Sequence, residues 1–205
     1  MTSREAPRDL RCSAAANRAS LATDARGWRP RLHRHEADWC FACNRWGRRQ
    51  LVRACFAGLS RLGDGVFWYV LMALIVMFGG SKGLPASAHM AGTGVVALLM
   101  YRVLKRCTRR PRPFASDRRI FALVRPLDEF SFPSGHTLHA VSFSLVALAW
   151  YPPLAWVLIP FSAGVAASRV VLGLHYPSDV IAATGIGVVL AGASLWLVPG
   201  ASLLG

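Results

Sequence analysis

The sequence predicts an all-α, integral-membrane helical bundle with five to six transmembrane helices, because of its composition and the distribution of its charge. Of its 205 residues, 54% are hydrophobic and only 17% are charged, whereas a typical soluble domain is about one-quarter charged. The apolar residues form long stretches, and most of the charge lies in the first third of the chain and in one later loop. This clustering is typical of helices that span a bilayer.

Five apolar stretches are the predicted spans, and they cover residues 66–80, 88–104, 137–151, 154–172 and 177–198. About 20 apolar residues cross a bilayer, so the last two suffice alone, whereas the first and third need flanking residues or local thinning. Residues 45–62 form an amphipathic stretch with arginines on its polar side. The first helix is therefore predicted either to cross the membrane or to lie at its interface as an amphipathic helix.

The chain is predicted to have two parts. Residues 1–44 are polar, rich in arginine and without apolar periodicity, which is typical of a flexible basic tail, and residues 45–205 form the membrane-embedded domain. The formal net charge is +14. Because the basic residues flank apolar stretches, we expect membrane lipids as partners and no nucleic acid. The oligomeric state cannot be read from the sequence.

A zinc site is a weaker interpretation of one short segment. Cys40 and Cys43 are preceded by His33 and His35, and these residue types are zinc ligands. No second pair completes a known spacing, so we favour ordinary thiols and expect no metal.

Three polar clusters lie at the ends of the predicted spans. Written as patterns, they are K-x6-R-P from Lys105 to Pro113, P-S-G-H from Pro133 to His136, and S-R-x5-H-x3-D from Ser168 to Asp179. One loop joins the second and third spans and another joins the fourth and fifth. Loops separated by two crossings lie on the same side of a membrane, so the three clusters are predicted to meet at one interface.

The basic residues of these clusters are suited to binding an anion. Lys105, Arg112 and Arg169 suit the nonbridging oxygens of a phosphate, since an arginine can bind two oxygens at once. The amides of Ser134 and Gly135 precede a helix and would add to the same anion site.

The histidines and the aspartate of these clusters are suited to phosphoryl transfer. A neutral His175, held by a hydrogen bond to Asp179, would attack phosphorus. His136 would protonate the departing oxygen and then activate water. Because side chains would neutralise the phosphate charge, neither a metal nor another cofactor is expected. His139 is a further candidate for lining this site, and His89, at the other end of its span, is interpreted as structural.

The three motifs resemble those of the type 2 phosphatidic acid phosphatase family, which shares its site with vanadium haloperoxidases and bacterial acid phosphatases. All three match in order and without substitution, and the likeness extends from about residue 59 to the C-terminus. In that family the lysine and the two arginines bind phosphate, the last histidine is the nucleophile and the middle histidine is the acid. The resemblance implies a metal-independent phosphatase that forms a phosphohistidine. The implied substrates are lipid phosphates or diphosphates of the phosphatidic acid, phosphatidylglycerol phosphate or polyprenyl diphosphate type.

Two other functions remain open, a vanadate-dependent haloperoxidase and a non-catalytic membrane scaffold. The predicted location is a bacterial inner membrane, which the chain crosses several times. With five spans the motifs share the side of the basic tail, which the positive-inside tendency places in the cytoplasm, and with six they face outward. Many bacterial members of the family work on the outer face, so we favour an extracytoplasmic site.

Overall fold

The computed structural model describes residues 29–198, and throughout this range the regular structure is helical, as predicted. Short 3-10 turns at Gly80–Lys82 and Pro152–Leu154 precede the fourth and seventh α-helices. The α-helices are α1 (Arg29–Gly47), α2 (Gln50–Gly63), α3 (Val66–Phe78), α4 (Gly83–Thr108), α5 (Pro113–Ser116), α6 (Gly135–Trp150), α7 (Ala155–Val171) and α8 (Pro177–Leu197). Residues 1–28 of the predicted tail lie outside the described range.

Helix α6 is the central element, because it packs against α4, α7 and α8. Small residues allow this close packing. A Cβ atom added at Gly94 of α4 would lie 2.6 Å from the ring of Phe143, and one at Gly187 of α8 would lie 3.0 Å from Val141. The order of the helices places the ends of α4 and α7 and the starts of α6 and α8 together. We call this end of the bundle the motif end.

The outer faces of the helices are apolar and face away from the core. Large exposed hydrophobic residues include Val70, Phe78, Leu84, Val95, Leu99, Trp156, Ile159, Ile181, Val189 and Trp196. So many exposed large apolar side chains suit lipid rather than water. Three segments are long and apolar enough to cross a membrane, namely Gly80–Ser116, Pro152–Val171 and Pro177–Leu197. Helices α2 and α3 form a fourth if the pair, bent by 53°, is one span. The predicted count of five to six is therefore not confirmed.

The N-terminal helices differ from the sequence prediction. Residues 29–44 were assigned to the tail, whereas the structure has them in α1, whose residues from Ala37 onward belong to the same compact unit as the bundle. Tertiary contacts rather than an apolar stripe hold this helix. Asn44 is fully buried, and its side chain donates to the carbonyl oxygens of Phe121 (2.8 Å) and Val171 (3.3 Å) and accepts from the amide of Phe121 (3.1 Å). The end of α1 therefore lies at the motif end.

A polar cluster joins α4, α6 and α8 at the opposite end of the bundle. The indole of Trp150 donates to Nδ1 of His89 at 3.2 Å, so a neutral His89 has its hydrogen on Nε2 and donates to Ser194, 2.6 Å away. Thr93 lies 2.8 Å from the same serine oxygen. These bonds satisfy polar groups within the helical bundle, in agreement with a structural role for His89.

The glycine contacts predict how the bundle responds to a larger residue. Gly187→Leu should lower the free energy of unfolding of the purified protein in detergent by about 1–3 kcal/mol, measured as a lower melting temperature. The reason is that the side chain would be forced against Val141 and the Leu138 carbonyl. Gly185→Leu is the matched control on the same helix, since a Cβ there has nothing within 4 Å. Equal losses in the two variants would contradict this account of α6–α8 packing.

Candidate active site

The three motifs meet in a cavity of about 490 Å³ at the motif end. Helices α4, α6 and α7 provide Lys105, His136 and Arg169 from the turns nearest this end, and the following connections provide Arg112 and His175. The sequence-predicted residues that line the cavity are Lys105, Arg112, Gly135, His136, His139, Arg169 and His175. The structure thus brings together most of the residues that the sequence singled out.

A tight turn after α7 explains the spacing between Arg169 and His175. The amides of Leu174 and His175 both donate to the Arg169 carbonyl oxygen, at 3.0 and 3.1 Å. Gly173 has a φ of 74°, in the left-handed region that favours glycine, and a Cβ there would lie 2.6 Å from the Phe121 carbonyl oxygen. The chain therefore folds back over the end of α7, and His175 lines the same cavity as Arg169.

Arg169 is an almost fully buried cation in this cavity. It is 2% exposed, and its Nη1 donates to Ser60 of α2 at 2.5 Å. Its Nε is buried and has no hydrogen-bond partner among the described residues. A buried donor without a partner is costly, so this atom is suited to an anion that enters the cavity.

Lys105 and Arg112 are held by a carboxylate that the sequence analysis did not identify. Asp128 bridges them, with Oδ2 at 2.5 Å from the lysine Nζ and Oδ1 at 2.7 Å from the arginine Nη2. Arg112 also donates to the main-chain oxygens of Asp128 (2.9 Å) and Leu174 (2.8 Å). Partial burial alone would raise the pKa of Asp128, but its bonds to the two cations outweigh this effect and lower it. Asp128 is therefore an anion within the protein's own cation cluster.

His175 is arranged as a neutral imidazole. Its Nδ1 lies 2.6 Å from the carbonyl oxygen of Ser131, which can only accept, so Nδ1 has the hydrogen and Nε2 has the lone pair. Nε2 is 3.5 Å from Nη1 of Arg112. Burial, followed by the charges of Arg169, Arg112 and Lys105, lowers the pKa of His175 well below its ordinary value. The imidazole is thus kept unprotonated beside the cations.

Asp179 lies close to His175, as predicted, but its hydrogen bonds in this structure go to other groups. Its Oδ2 is 3.7 Å from Nδ1 of His175 and accepts instead from the Tyr176 amide at 2.9 Å. Its Oδ1 accepts from Arg110 at 2.7 Å. The carboxylate therefore caps the start of α8 and binds Arg110, while the Ser131 carbonyl orients the imidazole. A main-chain acceptor cannot be predicted from sequence, whereas Asp179, four residues after His175, was suggested by its spacing.

The predicted anion-binding amides are also only partly available. Ser134 is fully buried outside the cavity lining, its hydroxyl bonds to Thr137 at 2.9 Å, and its amide is directed at the Asp179 carbonyl oxygen at 3.4 Å. Gly135 does line the cavity. In this structure Ser134 thus acts as a buried link between α6 and α8.

His136 forms a hydrogen bond that sequence reasoning missed. Its Nε2 contacts Oδ1 of Asp64, in the Gly63-Asp64-Gly65 break between α2 and α3. Nearby, Nδ1 of His139 donates to the Gly135 carbonyl oxygen at 2.9 Å, so this histidine supports the first turn of α6 as well as lining the cavity. The only sequence signal for Asp64 was an acidic residue at an interruption between apolar helices.

The fold and cavity define a membrane-embedded helical protein with a buried cationic site, and residues 84–202 match the PAP2 superfamily. The match covers more than half of the chain, so the chain belongs to the PAP2 superfamily. The predicted family is therefore confirmed.

Two curated relatives with named activities cover most of the bundle. Undecaprenyl-diphosphatase BcrC of Bacillus subtilis is 26% identical over 61% of this chain and 64% of its own length. Decaprenylphosphoryl-5-phosphoribose phosphatase of Mycobacterium tuberculosis is 35% identical over 63% of this chain and 71% of its own. Phosphatidylglycerophosphatase B of Escherichia coli is 38% identical over a shorter region, 33% of this chain and 29% of the relative.

Two solved structures share the fold. The transmembrane PAP2-type phosphatidylglycerolphosphate phosphatase from Bacillus subtilis has a TM-score of 0.66 at 22% identity, covering 91% of this chain and 94% of that one. Aquifex aeolicus LpxE has a TM-score of 0.63 at 23% identity, covering 78% and 93%. With the apolar spans, these similarities identify an integral membrane protein.

The bridge formed by Asp128 predicts a change in anion affinity. In Asp128→Asn, inorganic phosphate and vanadate should bind the purified protein about tenfold more tightly, roughly 1.4 kcal/mol, because Lys105 and Arg112 no longer hold a competing anion. Isothermal titration measures this without any assay of turnover. Asp117→Asn is the control, because that carboxylate pairs with Arg119 outside the cavity lining. Weaker binding in Asp128→Asn would instead assign Asp128 to holding the two cations in place.

Proposed function

We propose that this chain is a metal-independent phosphatase that hydrolyses a lipid phosphate or diphosphate through a phosphohistidine on His175. The observation that supports this most directly is the state of His175, a buried neutral imidazole whose Nε2 lone pair lies next to Arg112. A nucleophilic histidine must have this protonation state.

The surrounding charges suit a phosphoryl group. Arg112, Arg169 and Lys105 are 2%, 2% and 6% exposed, so their attraction for an anion is little weakened by water. Phosphoryl transfer depends mainly on positioning and on stabilising charge over the nonbridging oxygens. Three cations in one cavity provide this stabilisation from side chains alone. The phosphate would take the place that the Asp128 carboxylate holds in this structure.

The proposed reaction has two steps. In the first, Nε2 of His175 forms a bond to phosphorus as the bond to the lipid oxygen breaks, and His136 gives its proton to that oxygen. In the second, His136 takes a proton from water, the water oxygen attacks phosphorus, and the phosphorus–nitrogen bond breaks. The products are inorganic phosphate and a lipid with one phosphate fewer, which is a free alcohol from a monophosphate and a lipid monophosphate from a diphosphate, and both histidines return to their starting states.

The apolar wall of the cavity supports a lipid as the substrate. This wall is formed by α3 and α4, through Trp68, Tyr69, Met72, Ala91, Val95 and Leu98. From Lys105, the lining extends along α4 to Ala91, about 21 Å at 1.5 Å per residue. Tyr69 and Val95 are 70% and 56% exposed, so the wall opens onto the face that meets lipid. A hydrocarbon chain could lie here while its phosphate reaches the cations.

Among lipid substrates, we favour those with a polyprenyl carrier. The Bacillus subtilis and Mycobacterium tuberculosis relatives, which cover 61% and 63% of this chain, are named for undecaprenyl and decaprenyl substrates, whereas the phosphatidylglycerophosphatase similarity covers one-third. The apolar wall favours a phosphatase that acts on lipid over a haloperoxidase, and the buried neutral imidazole of His175 favours an enzyme over a scaffold. A vanadate-dependent halide oxidation assay addresses the haloperoxidase directly.

Turnover on defined lipids tests this proposal. The purified protein in detergent and excess EDTA should release phosphate from undecaprenyl diphosphate, decaprenyl phosphate derivatives or phosphatidic acid. His175→Ala should abolish release from every substrate, because the phosphoenzyme cannot form. Exposed His35→Ala is the control for loss of a histidine outside the cavity. Loss of activity in EDTA that magnesium restores, or acid-labile phosphate trapped on another residue, would overturn the mechanism.

The side of the membrane that the site faces also depends on the N-terminal helices. We propose that α1, from Ala37 onward, shares a side with the catalytic cavity. Arg48 donates to the Arg119 carbonyl oxygen at 2.7 Å, and Arg119 pairs with Asp38 of α1 at 2.8 Å. Helices α3, α4, α6, α7 and α8 would then be five crossings, with α2 at the interface. The six-span arrangement, on which the extracytoplasmic prediction depended, has less support.

Charge supports a cytoplasmic position for this shared side. Arg112 and Arg169 are buried in the cavity and are not counted as loop charges. Other arginines at the motif end are exposed, and they include Arg45, Arg48, Arg49, Arg106, Arg109, Arg118, Arg119 and Arg125. Within the described residues, the connections at the opposite end, 79–82 and 151–154, contain one basic residue, Lys82. Loops rich in lysine and arginine stay in the cytoplasm. We therefore propose the cytoplasmic face of a bacterial inner membrane.

Cysteine labelling distinguishes the two orientations. In a background lacking the native cysteines, Ala42→Cys in α1 and Ala122→Cys in the motif-end loop should react with a membrane-impermeant maleimide only after lysis. Ser81→Cys at the opposite end should react in intact cells and is the matched control. Labelling of position 122 in intact cells would restore the extracytoplasmic site, and different behaviour of positions 42 and 122 would exclude a shared side.

A further inference from the structure

The break between α2 and α3 is built so that Asp64 enters the cavity. Gly63 packs closely on α7, since a Cβ there would lie 3.0 Å from the Val165 side chain. Gly65 has a φ of 135°, which side chains rarely allow. Asp64 lies between these two glycines and lines the cavity, where it accepts the hydrogen bond from Nε2 of His136. The backbone at this elbow therefore fixes where the carboxylate lies.

A second contact shows that the end of α2 belongs to the site. Ser60 precedes Asp64 by four residues, about one helical turn, so the two lie on a similar face. Its hydroxyl accepts from the buried Arg169 guanidinium at 2.5 Å. Thus one short segment holds one phosphate-binding cation and one proposed proton donor. An interfacial anchor would not need either contact.

We propose that Asp64 is the positioning residue for His136: it fixes the ring and favours the imidazolium form that protonates the leaving oxygen. This inference rests on the proposed phosphatase function. Because Nε2 of His136 is bonded to Asp64, Nδ1 is the nitrogen left to exchange a proton with the substrate. After Nδ1 has given up its proton, Nε2 still has its hydrogen and donates it to the Asp64 carboxylate. Nδ1 then has a free lone pair and can accept a proton from water.

The charge balance around His136 makes this carboxylate necessary. The other charged or titratable groups that line the cavity come from every surrounding element: His139 on α6 itself, Arg169 on α7, His175 after it, Tyr69 on α3, Tyr101 and Lys105 on α4, and Arg112 and Asp128 in the following loop. Burial first, and then the positive charge of Arg169, lowers the pKa of His136, while the hydrogen bond to Asp64 acts in the opposite direction. Asp128 is already bonded to Lys105 and Arg112. Asp64 is thus the carboxylate in direct contact with His136 that can offset them.

Substitution of Asp64 should reveal its action through the leaving group. In Asp64→Asn, release of a lipid alkoxide, which is a poor leaving group, should fall about 10- to 100-fold, which is part of the roughly 100- to 10,000-fold that general acid catalysis contributes. The nitrophenolate burst from p-nitrophenyl phosphate should change less than about twofold, since that group departs without a proton. The basic limb of the pH–rate profile for lipid phosphate should move to lower pH, because the imidazolium has lost its counter-ion. Asp64→Glu should recover part of the rate.

A double-mutant cycle and a neighbouring variant separate this role from a structural one. In a His136→Ala background, Asp64→Asn should cause no further loss, because the carboxylate acts only through the imidazole. Ser60→Ala should instead weaken binding of both substrates alike, through Arg169. An equal loss on both substrates with an unchanged pH profile, or additive losses in the cycle, would overturn the role of Asp64. Absence of turnover in the unmodified protein would instead refute the proposed function.

Discussion

The burial of three cations at one end of an apolar bundle is the constraint on which the rest of this structure depends. Removing a charge from water costs several kcal/mol, so each buried cation requires a partner. Lys105 and Arg112 share Asp128, whereas Arg169 is bonded to Ser60 and its Nε has no partner within residues 29–198. The site is therefore only partly neutralised by the protein, and the phosphate group of the proposed substrate would supply the missing negative charge.

The same constraint explains why elements distant in sequence converge at the motif end. The loop after α5 provides Asp128 and the Ser131 carbonyl, and the elbow after α2 provides Asp64. Helix α1 closes the outer side, where the thiol of Cys40 lies 3.6 Å from the His175 carbonyl oxygen. The N-terminal helices are thus part of the support of the site, although the family motifs lie entirely in the later helices.

The site also joins two environments. Its polar end holds ionised groups close together, and its α3–α4 wall meets the lipid-facing surface. A substrate with a charged head and a hydrocarbon chain matches both at once. Small residues such as Gly94, which faces Phe143 where the wall meets the core, set how closely α4 approaches α6. Helix packing and the width of the cavity are therefore linked.

The sequence by itself determined the all-α membrane class and the PAP2 family, and it identified most of the charged residues that line the cavity, because apolar length and charged motifs are local properties. The helical nature of residues 29–44 and the partners of His175, Asp179 and Ser134 were decided only by the tertiary structure. The role of the Ser131 carbonyl cannot be predicted from the sequence, because every residue has a main-chain carbonyl. The roles of Asp64 and Asp128 depend on the imidazole of His136 and on the cations Lys105 and Arg112, which only the fold brings next to them. Short spacing favoured Asp179 as the partner of His175, but the capping of α8 and the charge of Arg110 engage that carboxylate more closely.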